Sequence, residues 1–184
     1  DTSGAWDWKM EKNSFTVHGR SNFASPAVIE YKKGSEWLHF KPDILQYAND
    51  TGATQIIAAP RAVNGMVHGN TITWPSAYGN GMDFSWEIEP SRLAKLLTIT
   101  RKNRLPRVNQ IIRDGGNPVL ELNLELALSQ GLKVLIGGKV WQGEERDIQG
   151  LIEFQDAQGN TLWHFDTPLS WDSRDPLAKN PANL

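Results

Sequence analysis

The 184-residue chain contains no cysteine. No disulfide framework or thiolate chemistry can organise it, and cysteine usage leaves the redox compartment open. It also lacks an excess of positive charge, since nineteen Lys and Arg face twenty-one Asp and Glu for a net charge of -2. Such a balance supplies no field to hold phosphate backbones or anionic lipid, so nucleic acid is not an expected partner. No apolar run approaches the roughly 20 residues of a membrane-spanning helix, and membrane insertion is not expected either. The opening Asp1-Thr2-Ser3-Gly4 has no charged n-region or apolar h-region. A missing initiator Met is what a chain processed or trimmed from a larger protein would have, or one given without its first residues.

What is present is the composition of a folded globular chain, 39% hydrophobic and 22% charged, which excludes disorder and collagen. A chain of this length buries about 70% of its unfolded surface as one domain or two small ones. The clearest pattern runs from Pro118 to Gln130, where Leu120, Leu122, Leu124, Leu126 and Leu128 alternate with Glu121, Asn123, Glu125 and Ala127. Leu, Glu and Ala favour helices, but at helical spacing those leucines would spread around the axis and drag carboxylates inward. The period of two therefore predicts a strand. Met82, Phe84, Trp86 and Ile88 alternate in the same way with Asp83, Ser85, Glu87 and Glu89, bounded by Gly79-Asn80-Gly81 and Pro90.

Shorter strands are predicted over Ser14–His18, Ala27–Lys32, Glu36–Phe40, Gln55–Ala59, Asn70–Trp74, Leu96–Arg101, Val108–Arg113 and Leu132–Trp141. Leu151–Phe154 and Thr161–Phe165 flank the five-residue turn Asp156-Ala157-Gln158-Gly159-Asn160 and predict a hairpin. Ser91–Leu97, behind Pro90, is the one serious helix candidate, and a strand with a turn is the favoured reading there. Ten to twelve short strands with turn residues about every ten positions predict an all-β chain with little helix, an antiparallel β-sandwich or two stacked β lobes. The expected domain is 1–173, with a sub-boundary at 102–106, and 174–184 reads as a polar tail or linker. No repeat of 20 to 50 residues is present.

Two stretches carry a resemblance. The first is Asn70-Thr71-Ile72-Thr73-Trp74, then Ala77-Tyr78-Gly79-Asn80-Gly81-Met82-Asp83-Phe84-Ser85-Trp86, followed by Leu93–Ile99. The second is Ile152-Glu153-Phe154 through Gly159 to Leu162-Trp163, then Pro168–Asp172. In order and spacing this region, roughly Trp37 to Asp172, resembles β-rich leading regions of large bacterial and phage surface proteins. The resemblance implies a non-catalytic β-sandwich module of a secreted, cell-surface or virion-surface assembly, and it carries over no catalytic residue. Such regions usually continue into further strands after the Pro-to-Asp segment. Here a polar tail follows, which implies a fragment or a shortened stand-alone version.

Chemistry-bearing constellations are sparse. Glycoside hydrolysis needs two carboxylates about 5 to 9.5 Å apart. On a strand, Glu87 and Glu89 would lie about 7 Å apart, whereas Asp83 and Glu87, or Glu121 and Glu125, would lie about 14 Å apart. Only the first pair fits, and outward carboxylates are also what any strand with one wet face carries. There is no Gly-x-Ser-x-Gly elbow, no phosphate-cradling glycine loop and no His-Glu-x-x-His run. His18, His39, His68 and His164 are not spaced as zinc ligands; a lone strand histidine is usually half-buried and hydrogen-bonded, so no metal site and no cofactor are expected. Asn80–Asp83, Asp156–Asn160 and Asp172–Asp175 could offer oxygens to calcium, but ordinary Asx turns explain each loop better.

Tryptophan is unusually frequent, at Trp6, Trp8, Trp37, Trp74, Trp86, Trp141, Trp163 and Trp171. Trp86 and Trp163 are in phase with core positions. Trp6 and Trp8 lie in a polar segment, where burial needs a docked terminus or a partner. The leading expectation is a non-enzymatic structural or adhesion module of an extracellular, cell-surface or virion-surface assembly, such as a phage decoration or tail component. It would act through homotypic or scaffold protein contacts, because sandwich edges can accept a strand from another protomer. A carbohydrate-binding module is the alternative, with Trp6, Trp8, Trp74 and Trp141 as its binding residues. A carbohydrate-active enzyme using Glu87 and Glu89 comes third.

Overall fold

Alternating side chains give a ribbon one wet and one oily face, and such ribbons are stable when their oily faces meet. The computed structural model describes residues 5–12, 15–90, 93–100, 104–143, 151–166, 169–170 and 180–181. Strand accounts for 54% and helix for 4%, in several antiparallel sheets with no closed barrel among the described residues, as a β-sandwich requires. The chain divides into two compact units, Asp1–Ala127 and Leu128–Leu184.

In the first unit, one sheet runs β1 (Trp8–Lys12), β2 (Phe15–Gly19), β3 (Ile29–Lys33), β4 (Glu36–Ala48) and β10 (Val119–Leu128), with β5 (Thr54–Ala58) also paired to β4. The second runs β6 (Met66–His68), β7 (Thr71–Trp74), β8 (Met82–Ile88) and β9 (Leu93–Ile99). Their inner faces share a core of Val17, Ile29, Leu38, Phe40 and Leu45 from one sheet and Ile72, Trp74, Phe84, Trp86 and Ile88 from the other. Phe40 meets Trp86 across the layers with ring centroids 5.1 Å apart. Phe23, outside any strand, seals the core by meeting Trp74, Tyr78 and Phe84 at 5.5, 5.5 and 5.2 Å.

Two of the buried aromatics have bonded polar ends, whereas Trp86 Nε1 is buried without a hydrogen-bond partner among the described residues. Trp74 Nε1 donates to the Ser21 carbonyl at 2.7 Å, and the Tyr78 hydroxyl donates to the Asp43 carbonyl at 2.8 Å. Burial, reinforced by Asp43, pushes the Tyr78 pKa up and keeps that hydroxyl a donor.

The second unit contains the sheet β12 (Lys139–Val140), β11 (Lys133–Ile136), β13 (Ile152–Gln155) and β14 (Thr161–Phe165), in that order. Leu135, Ile136, Ile152, Phe154 and Trp163 are its buried apolar residues. The expected hairpin joins β13 to β14, and Gly159 supplies the φ of +83° that its turn needs. A further short pairing links β15 (Leu169–Ser170) with β16 (Asn180–Pro181).

Several expectations are corrected. Val108–Arg113 is not a strand: Asn109 caps the helix α1 (Gln110–Asp114), its side chain accepting from the Ile112 amide at 3.0 Å. Asn49 Nδ2 holds the same turn through the Ile111 and Ile112 carbonyls at 3.3 and 3.1 Å. β4 also runs past Phe40 through Pro42, because β3 pairs with residues 36–40 and β5 with 45–48, so the missing Pro42 donor falls between the two ladders. The division of the chain lies at Ala127/Leu128, and the expected boundary at 102–106 falls inside the first unit. In Ser91–Leu97 the described part belongs to strand β9. Asp1–Gly4, Ser91, Arg92, Trp171, the Asp172–Asp175 loop and most of the 174–184 tail lie outside the described residues.

Phe23 lies outside the strands, where its amide donates to the Val63 carbonyl at 3.0 Å and its ring contacts seat the segment on the core. Phe23→Ala is expected to cost about 3–5 kcal/mol of stability, read as a lower urea midpoint with an unchanged slope.

Candidate functional site

The site begins with the long strand that ends the larger sheet. β10 is ten residues long, and among the described residues its one hydrogen-bonded neighbour is β4. Lys41 Nζ donates to Glu125 Oε1 at 2.6 Å, and Gln46 Nε2 donates to Glu121 Oε2 at 2.9 Å. Those bonds put Glu121 and Glu125 on the face shared with Lys41 and Gln46, so the leucines point to the other face. The alternation is as expected, but the burial is not. Leu120 is 41% exposed, Leu126 36% and Val119 47%, and Leu122 and Leu124 are half-buried. A long apolar edge of this kind is a template for another strand.

The opposite end of the same sheet is finished differently. Trp8 faces Gly19 across the β1–β2 pair, and a Cβ on Gly19 would collide with its indole. The preceding segment is docked as well: the Asp7 amide donates to the Gly19 carbonyl at 2.9 Å, and Arg20 donates to the Ala5 carbonyl at 3.0 Å. Arg20 also lies 4.9 Å from the Trp6 ring centroid. A docked terminus thus accounts for the half-burial of Trp6 and Trp8.

Beneath Trp6 is a polar ladder that the sequence did not disclose. His18, Glu30 and His39 stand side by side on β2, β3 and β4. His18 Nδ1 donates to Glu30 Oε1 and His39 Nε2 to Glu30 Oε2, both at 2.7 Å. A carboxylate only accepts, so each facing nitrogen carries the proton. Trp37 stacks on His39 at 3.9 Å, and Trp6 on His18 at 6.1 Å. Burial pushes the Glu30 pKa up, but the hydrogen bonds from His39 and His18, with their charge, outweigh it and hold the carboxyl below its usual 4.5. The readable signal was the tight turn Gly34-Ser35, which joins Lys33 to Glu36 and so puts Glu30 opposite His39.

Trp74 is fully buried, which corrects its place among surface tryptophans: its indole fills the core and its Nε1 is bonded inside. Trp141, 40% exposed, belongs to the second unit, whereas Trp6 and Trp8 belong to the first. Glu87 is the penultimate residue of β8 and Glu89 follows the strand, and both are half-buried. A shallow depression of about 350 Å³ is lined by Tyr47, Leu105, Pro106, Arg107, Val108 and Arg113, with neither glutamate among them.

Among the described residues no group of three His, Cys, Asp or Glu is placed to hold a metal ion. Asp156 makes the expected Asx turn, accepting from the Gln158 and Asn160 amides at 2.9 and 2.8 Å. His68 is exposed, and His164 pairs with Asp166 at 3.1 Å.

Family models, curated proteins and solved structures show no match to this chain.

The Glu30 ladder has a pH signature. Its folded-state pKa is lowered, so its contribution is fully present above the unfolded value of 4.5 and is lost as pH falls through the folded value. Glu30→Gln is expected to cost about 1–3 kcal/mol at pH 7, because it sets an amide donor against an imidazole donor. It should also flatten the loss of stability below pH 4.5. Urea midpoints across that range read both effects, and an unchanged slope would remove Glu30 as their source.

Proposed function

We propose that this chain is a non-enzymatic structural module that works by joining other protein chains, copies of itself or a scaffold, in an extracellular or virion-surface assembly. The observation that carries the reading is the β10 edge: ten residues long, paired on one side among the described residues, with exposed Val119, Leu120 and Leu126. A strand added there would complete the backbone ladder and cover the leucines in one step. The β1 end, by contrast, is five residues long, carries the exposed pair Lys9 and Glu11, and is capped by Trp8 over Gly19. The surface-protein resemblance supplies the setting.

The carbohydrate reading has less support, because Trp74 is spent in the core and Trp6 and Trp8 are half-buried by the docked terminus. The paired-glutamate reading also has less support, because the depression lined by Tyr47, Arg107 and Arg113 includes neither Glu87 nor Glu89.

Light scattering of the intact chain from micromolar to near-millimolar concentration should give a mass that rises above 20.6 kDa. The double variant Leu120→Lys/Leu126→Lys should stay at the monomer mass and remain folded by circular dichroism. A wild-type mass that stays at the monomer value throughout would sink the reading.

A further inference from the structure

We infer that the strand added at the β10 edge is the β10 of a second copy, running antiparallel about a two-fold axis at Leu124. This rests on the contact reading and names its partner. Antiparallel pairing places opposite residues on the same face, so a strand can meet itself only in registers that keep leucine with leucine. Two such registers bury the strand centrally. Centred on Asn123, the strand sets Glu121 against Glu125 twice, which opposes like charges directly. Centred on Leu124, it sets Leu122 against Leu126, Leu124 against itself and Leu120 against Leu128, an unbroken leucine row. On the other face Glu121 meets Ala127, and Asn123 meets Glu125.

The last pair has the chemistry to form. Glu125 gives Oε1 to Lys41, and among the described residues its Oε2 has no hydrogen-bond partner. The half-buried Asn123 side chain likewise makes no hydrogen bond among the described residues. An Asn123 amide from the second copy supplies the donor that Glu125 Oε2 can take, once on each side of the axis. The contact is isologous, so it closes at a dimer.

The cysteine-free chain makes the register measurable with single thiols. In the Leu124-centred pair the two Leu124 Cα atoms lie about 4.5–5.5 Å apart, within disulfide reach. The two Asn123 residues stand on a diagonal of about 7–8 Å, outside it. Mild oxidation of dilute Leu124→Cys should therefore give a dimer on non-reducing gels, and Asn123→Cys should not. Should Leu124→Cys fold poorly, a mixture of Leu122→Cys and Leu126→Cys chains tests the same register. Asn123→Lys should tighten the dimer several-fold by facing Glu125; in the Asn123-centred register it would face itself and weaken it.

Cross-linking through Asn123→Cys, or weakening by Asn123→Lys, overturns the register. A mass above the monomer with no cross-link from either thiol overturns the β10–β10 pairing and leaves the contact reading standing. A monomer at every concentration takes the contact reading down as well.

Discussion

A sheet that does not close must end, and each end leaves a row of backbone donors and acceptors without a ladder. The larger sheet of the first unit finishes its two ends by opposite means. At β1 the chain uses shortness, charge and a tryptophan folded over Gly19, which leaves little for a foreign strand to pair with. At β10 charge is present too, but shortness is not used. The strand is twice as long, its carboxylates are occupied by Gln46 and Lys41, and its leucines are only partly covered. That asymmetry leaves β10 as the end with the longer strand and the more exposed apolar face among the described residues, and the proposed contact uses it.

The His18–Glu30–His39 ladder belongs to the same logic. A carboxylate moved out of water on a sheet face is costly unless its lone pairs are used. Here the strand register brings an imidazole donor to each oxygen, and the indoles of Trp6 and Trp37 cover the rings. The result ties β2, β3 and β4 together through side chains as well as backbone. It also gives the N-terminal segment a surface to dock on, so β1 is held by its tryptophans as much as by its ladder. The part of the sheet next to β10 is thus cross-braced.

Much of the fold was legible because the period of two is hard to imitate. Met82–Ile88, Leu120–Leu128 and the hairpin around Gly159 are all strands in the structure, although Leu, Glu and Ala argue locally for a helix. Local chemistry misled where the pattern was short. Ile111 and Ile112 look like strand residues, yet the Asn109 cap and the Asn49 amide close a single helical turn around Ile112. The ladder around Glu30 was half legible: the two-residue turn fixes its partner on β4, but nine residues separate Gly19 from Ile29, and nothing in that loop announces the register that brings His18 alongside. Leucine exposure on β10 could not be read at all, because alternation says which side chains share a face and not whether that face is covered.

β10 is also the place where local and global preferences disagree most. Leu, Glu, Asn and Ala have little intrinsic liking for a pleated ribbon, so the strand depends on its neighbours for its conformation. In one copy the described neighbour is β4, reinforced by Lys41 and Gln46 on one face. A single ladder beside a half-covered leucine row satisfies one side of the backbone and leaves the other unpaired among the described residues. A second ladder would use the remaining donors and acceptors, extend the leucine row across two chains, and engage Asn123 and the second oxygen of Glu125. The residues that make β10 a poor edge in isolation are those that pair well with themselves, and this is why the strand's weakness and the molecule's proposed work have the same cause.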